Sequence, residues 1–194
     1  MRTERSTAKN VGKYDDIEIA SYTSADIEKI SEWYSQEEHL IRGATPRYWE
    51  DVVEGEELPP IIRGPWTATT SICFLSAHGG LFMMAHGHWY DYIRRHPRAG
   101  IPNDQGVPEG PVRGHWDSEF ARQVGVPAAY DYGPERIAWL CTLLTYWCGD
   151  HGWLRRLRAE IRRFNLLGDL TTISGRVTKK HRSPDGVVDG RQGL

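Results

Sequence analysis

The chain has 194 residues, a formal net charge of −2, and 39% hydrophobic content with 11% aromatics. That near-neutral balance excludes the basic field of a general nucleic-acid binder. The longest apolar run, about Ile137 to Cys148, is too short to cross a bilayer, so no membrane partner is expected. Eight tryptophans predict a thick core or an apolar pocket. The start, Met1 to Ser6, leads into no hydrophobic segment, so no signal peptide is expected. Cys73, Cys141 and Cys148 have no paired spacing and read as core thiols of a cytoplasmic protein.

Residues 1–22 carry weak periodicity and form a lead-in to a first helix. Thr23 or Ser24 caps it, Asp26 falls in its first turn, Ile27, Ile30 and Tyr34 recur at helical spacing, and Gly43 and Pro46 end it. Trp49 to Val53 reads as a short strand. Glu54-Gly55-Glu56 reads as a turn, and Leu58-Pro59-Pro60-Ile61-Ile62 as an extended segment whose prolines suit a sheet edge. Thr67 caps a second predicted helix, Ala68 to Ala77, burying Ile72, Leu75 and Cys73, with Gly79-Gly80 closing it. Leu81 to Arg95 reads as an aromatic-rich third helix. Residues 97–114 are dense in proline and glycine and read as a loop with specific turns.

A fourth helix is predicted from Pro134 to Trp147. Proline suits its first turn, and Ile137, Leu140, Cys141, Leu144 and Cys148 form a stripe that Ala138, Trp139, Leu143 and Tyr146 extend nearly all the way round. A helix apolar on nearly every side is expected to be wrapped by other structure. The period then changes. Leu157, Ala159 and Ile161 alternate with Arg156, Arg158, Glu160 and Arg162, the pattern of a half-buried strand. Asn165 to Asp169 holds a turn. Leu170 to Lys179 reads as a further strand with Ile173, Gly175 and Val177 on one face. These patterns prefer an α+β arrangement, a curved antiparallel sheet around the buried helix.

The order of motifs carries the functional reading. Arg47-Tyr48-Trp49-Glu50-Asp51-Val52 and Gly64-Pro65 are followed by His115-Trp116-Asp117 with Phe120-Ala121 and Gly125-Val126-Pro127. Then come Tyr130-Asp131-Tyr132-Gly133, Thr145-Tyr146-Trp147 with Gly149-Asp150, and Asn165-Leu166-Leu167-Gly168-Asp169. In this order the set resembles the MaoC-like acyl dehydratases, the R-specific enoyl-CoA hydratase group of the hotdog fold, and within it the FAS1-like dehydratase domains of acyl-CoA catabolism. The resemblance spans about Arg47 to Lys180. It implies a hotdog whose central helix is about 134–147, with an N-terminal extension over 1–46, a domain over 47–182 with an insertion at about 81–114, and a short flexible tail over 183–194. It further implies a CoA or acyl-carrier thioester as substrate with no separate cofactor. It implies a homodimer or a heteromer with another hotdog subunit, and a place in fatty-acid or steroid side-chain metabolism.

Active members of that family carry Asp-x-Asn-Pro-x-His. His115 matches the histidine, but Gly110 stands at the Asp position, and Glu109 is the nearest upstream carboxylate. The tail after Ser183 is short and glycine-rich for a strand, which suggests truncation relative to relatives and an edge left unpaired.

Hydration of an enoyl thioester needs a base for water and donors for the carbonyl oxygen. His115 is the candidate water-handling residue, with Glu109 or Asp117 assisting. Tyr130, Tyr132, Gly133 and Glu135 are candidate substrate contacts, the last two through backbone N–H groups at the start of the Pro134 helix. Each has a plainer alternative: His115 a loop histidine bonded to Asp117, Tyr130 to Gly133 the lead into a helix, and Arg136 a partner of Asp131 or Glu135. The arginines from Arg155 to Arg163, with Lys179 and Lys180, are either CoA phosphate contacts or a solvated face. Two further functions stay in view. One is a non-catalytic hotdog subunit beside a catalytic hydratase chain. The other, more distant, is a cupin-like metal protein suggested by Gly80 and His86-Gly87-His88, although the metal motif's Glu and second half are missing and no metal site is expected.

Overall fold

A computed structural model describes residues 17–79, 83–182 and 188–192. The chain is mixed helix and sheet, and it forms two compact units. Among the described residues the first comprises 17–20, 66–79, 83–132 and 164–169; the second comprises 21–65, 133–163, 170–182 and 188–192.

The second unit holds the longer elements. Helix α1, Ser24–Gln36, begins at Thr23, whose side chain accepts from the Asp26 N–H while Asp26 reaches back to Thr23, a reciprocal cap. Only Ile30 is buried on it; Ile27 and Tyr34 are exposed. It ends earlier than Gly43 and Pro46 suggest, passing into a 3-10 turn over Glu37–Leu40 where Glu37 is held by both terminal nitrogens of Arg63 at 2.8 and 2.9 Å.

Strand β1, Glu57–Arg63, and two later strands make a three-stranded antiparallel sheet. The edge position expected from Pro59-Pro60 holds. One extra β1 residue between Leu58 and Ile61 forms a bulge there, so the missing proline donors interrupt no central ladder. The central strand (β4, since two short strands precede it in the chain) is Thr171–Arg182, with Ile173 and Val177 buried and Ser174 and Arg176 exposed. Beside it lies β5, Val188–Gln192. The strand edge beside the tail is expected to stay unpaired. Pairing needs only backbone donors and acceptors, which a glycine-rich segment also has, and β5 covers that edge of β4.

Helix α5, Gly133–Cys148, packs on β1 and β4. Its buried line is Glu135, Trp139 and Leu143, at i, i+4 and i+8, while Ile137 is exposed. The expected stripe through Ile137 and Leu140 is therefore not the buried one, and the helix is covered along one face instead of all round. A carboxylate at the head of the true stripe hides it from a hydrophobicity count. The C-terminal end is closed by the segment at 42–47. Arg42 N–H donates to Tyr146 O, Asp150 N–H to Gly43 O, and Arg47 Nε to Trp147 O at 2.9 Å. Gly149 sits at φ +73°, and a Cβ there would meet Gly43 O at 2.8 Å, so both conformation and space demand glycine.

Two expected strands of this unit are absent. Trp49–Asp51 is a 3-10 turn because the Asp51 carboxylate accepts the Tyr48 N–H at 2.9 Å and Lys180 Nζ donates to the Trp49 and Val52 carbonyls. Lys180 is thus a tie within the unit, placed over the Trp49 ring, and not a solvated charge. In residues 156–162 Leu157 and Ala159 are half-buried between exposed charged residues, but Ile161 is exposed and the segment forms no ladder. No partner strand lies beside them among the described residues, and Arg158 and Arg162 share Glu160 on one side.

The first unit is built of shorter pieces. Helix α2, Ala68–His78, is capped by Thr67 and Gly79 and buries Ser71 and Leu75, leaving Ile72 and Cys73 exposed. Cys141 and Cys148 are half-buried, and all three thiols are free, so none belongs to a sealed core. Helix α3 runs His86–Arg95, starting five residues later than expected; residues 80–82 lie outside the described set. Its Trp89 is buried and donates Nε1 to Pro108 O of a small hairpin, β2 Ile101–Pro102 and β3 Pro108–Glu109. A 3-10 turn, Pro111–His115, leads to α4, Ser118–Gln123. Phe120 and Ala121 of α4 are fully buried, and Ala121, Val126, Ala128 and Leu166 form a core with Ile17, Tyr130, Phe164 and Leu167 around it.

Candidate functional site

His115 ends the 3-10 turn of the first unit, and its place is set by what flanks it. Gly114, the residue before it, is buried; a Cβ there would meet the Tyr130 ring at 3.1 Å, so glycine lets that ring close in. Tyr130 lies in the segment that bridges to Leu166: Asp131 N–H donates to Asn165 O, the Asp131 carboxylate accepts the Asn165 N–H, and Leu167 N–H donates to Ala129 O. The Asn165 to Asp169 turn is thus the clamp that fixes the residues facing His115. Its own fold is local, with Leu166 N–H on the Asp169 carboxylate at 2.8 Å.

The imidazole makes a 2.7 Å hydrogen bond from Nδ1 to Tyr130 O. A carbonyl can only accept, so in the neutral ring Nδ1 carries the proton and Nε2 keeps the lone pair. The ring stacks on Tyr132, centroids 3.7 Å apart and planes 26° apart, and meets Tyr130 edge-on at 4.5 Å. Burial pushes the His115 pKa below its ordinary value, against the opposing pull of the Tyr130 and Asp131 carbonyls. The result is a neutral imidazole with a fixed tautomer. Burial also pushes the Tyr132 hydroxyl up to about 12, and that hydroxyl is buried without a hydrogen-bond partner among the described residues.

The carboxylates expected beside His115 converge on Arg113 instead. Arg113 meets Glu109 at 3.3 Å and Asp117 at 2.6 Å, and its guanidinium lies 5.2 Å from the Phe120 ring centroid. Glu109 also accepts from Asn103 at 2.8 Å, tying the hairpin to this cluster. Asp117 is the N-cap of α4, accepting the Phe120 N–H at 2.9 Å. That N–H, with Arg113 beside it, holds the Asp117 carboxyl below the ordinary range. The plainer alternative for His115, a bond to Asp117, is not the one formed.

Arg113 itself escaped the sequence reading. Its signal was present, since acidic residues four before and four after an arginine are the spacing of side chains that meet on a helical turn. Tyr130 and Tyr132 do gather at His115, Tyr132 as a buried ring instead of an exposed lip. Gly133 and Glu135 belong to the second unit. Gly133 serves close packing, a Cβ there meeting Ile161 Cδ1 at 3.0 Å, and Glu135 is buried. Arg136 donates to Arg163 O.

His86 and His88 are exposed at the first turn of α3, a helix and not the strand that a shared metal face would need. No group of three or more metal-ligating side chains occurs among the described residues. No helix among them is long and apolar enough to cross a membrane. A cavity of about 410 Å³ lies within the second unit, and none of the expected site residues lines it. Comparison with protein-family models gives no match to this chain, and comparison with curated protein sequences gives none either.

Proposed function

We propose that the protein is a MaoC-like acyl dehydratase of hotdog type, adding water to an enoyl-CoA or acyl-carrier thioester and removing it in reverse. The observation that carries this reading is the seat of His115: Nδ1 donates to the Tyr130 carbonyl, so the neutral ring that burial favours keeps its lone pair on Nε2. In hydration, Nε2 takes a proton from water as its oxygen attacks the β-carbon, and the imidazolium returns a proton to the α-carbon. Tyr132 keeps the ring oriented by stacking. Glu109 and Asp117 act through Arg113, which braces the turn that carries His115. The packing of α5 on an antiparallel sheet is compatible with the fold, and a homodimer or a heteromer with a second hotdog chain is the expected assembly.

The test is hydration of crotonyl-CoA by the purified protein. Activity should fall by about 10²–10⁴-fold in His115→Ala, the range for loss of a positioned acid–base group. Undiminished activity in that variant removes His115 from the mechanism.

One observation favours a second reading, a non-catalytic subunit that supports a hydratase partner. Both local carboxylates are engaged by Arg113, and Gly110 stands where the family's aspartate would be. Activity that needs a coexpressed hydratase chain and survives His115→Ala would select it.

A further inference from the structure

Within the second unit, the segment that closes the C-terminal end of α5 lines an open cleft of about 410 Å³, a size suited to a small organic ligand. One wall is apolar, formed by Leu40, Ile41, Pro59, Leu143 and Trp147, while His39, Thr45 and Tyr146 add polar groups to the rest of the lining. Two arginines line it, in different states. Arg47 is neutralised: Glu56 pairs with it at 2.8 Å, its Nε is spent on Trp147 O, and the Trp147 ring lies 4.3 Å from its guanidinium carbon. Arg42 has no carboxylate partner among the described residues. Among the described residues its side chain makes one hydrogen bond, from Nη1 to Pro46 O at 3.2 Å, which leaves the Nε–Nη2 edge of the fork unfilled there. Its stem is fixed, with Cγ and Cδ packed over Gly149. A guanidinium edge of this kind matches the two oxygens of a carboxylate or sulfonate.

The geometry points to a binding site for a small organic monoanion with an apolar body, its acid group on the Nε–Nη2 edge of Arg42 and its body against Leu40, Ile41 and Leu143. This site is independent of the hydratase reading, which rests on residues of the first unit. A dication or a bare inorganic anion would not use the apolar walls, and an uncharged apolar molecule would leave the Arg42 edge empty.

The probe is anilinonaphthalene sulfonate, followed by its fluorescence on binding to the full chain, with the uncharged phenylnaphthylamine as its counterpart. A saturable one-to-one site is expected that octanoate displaces. Arg42→Ala should weaken binding about tenfold, the loss of one charge-assisted contact. The backbone N–H of Arg42, which holds Tyr146 O, is kept in that variant. Thr45→Trp, at an exposed lining position, should abolish the site by filling it. Both variants should retain the wild-type melting temperature and wild-type activity on crotonyl-CoA. Sulfonate binding unchanged in both variants, or uncharged dye bound as tightly as the sulfonate, overturns the proposal. Loss of hydration in His115→Ala with sulfonate binding intact would show the two sites to be separate.

Discussion

Arg47 and Arg113 are two half-buried arginines with similar surroundings and opposite reach. Each pairs with acid and faces an aromatic ring. Arg47 joins residues far apart in the chain, since Glu56 and Trp147 come from the lead-in to β1 and the last turn of α5. Trp147 Nε1 completes the group by donating to Glu56 at 2.9 Å. Burial alone would raise the Glu56 carboxyl, but the bonds from Trp147, Val53 and Arg47 outweigh it and hold the group below its ordinary value. Arg113 gathers near neighbours in the chain, Glu109 and Asp117 four positions away on either side and Phe120 seven positions on. The first cluster therefore holds a unit together, and the second shapes one turn. What a charged cluster does follows from the sequence distance it closes more than from its composition.

The sharpest break of this comparison is Arg47→Ala. It leaves Glu56 and the Trp147 carbonyl without their cation in a mostly enclosed place, and global stability should fall by about 2 kcal/mol. Denaturant unfolding should show this as a lower midpoint with an unchanged slope. A loss below about 0.5 kcal/mol would mean that the cluster decorates the second unit without holding it.

Arg113→Ala should cost less, about 1 kcal/mol, because Glu109 and Asp117 can turn toward water when their partner goes. Its larger effect should be local: faster hydrogen exchange over Pro111–His115 and, if the hydratase reading holds, weaker crotonyl-CoA turnover with the melting temperature nearly kept. Equal losses of stability for Arg47→Ala and Arg113→Ala would erase the distinction drawn here.

The same division explains what could be read from the chain. Features set by nearby residues were legible: the Thr23 and Thr67 caps, the proline-marked sheet edge, the alternation of Ile173, Gly175 and Val177, the span of α5, and the turn at Asn165 to Asp169. Features that depend on a distant partner were not. The strand expected at 156–162 has the right alternation in sequence but no neighbour to pair with among the described residues. Trp49–Asp51 was drawn into a turn by Lys180, more than a hundred residues on. The buried face of α5 includes a carboxylate, which no apolar stripe reveals. At the candidate site, His115, Tyr130 and Tyr132 do come together, whereas Glu109 and Asp117 were drawn to an arginine whose spacing from them was visible all along.

Asp117→Asn sharpens the local side of the contrast. The amide oxygen keeps the N-cap bond to Phe120 while the charge toward Arg113 is lost. Asparagine is as good an N-cap as aspartate, so the stability loss should be about 0.5 kcal/mol. Asp117→Ala loses the cap as well as the pair and should cost about 1.5 kcal/mol. If the two variants lose the same amount, the cap contributes nothing measurable and the pair with Arg113 accounts for Asp117's whole effect.

The smallest effect expected is a pH dependence from His115, and its sign is fixed by burial. The folded protein holds this imidazole at a lowered pKa, while the unfolded chain returns it to about 6.5. Between those two values the unfolded state binds the extra proton and the folded state does not, so stability falls as pH drops below about 6.5 and levels off below the folded value. Above about 6.5 both states are neutral and the contribution is fully present. Other histidines titrate in the same window, so the readout is the difference between wild type and His115→Gln, whose side chain cannot take up the proton. That difference should be constant above neutrality and should shift in favour of the variant as the solution is acidified. A difference that does not change with pH would mean that burial leaves the ring's pKa where it is in the unfolded chain, and one that shifts in favour of wild type would mean that the seat between Tyr130 and Tyr132 favours the protonated ring, which could not take a proton from water.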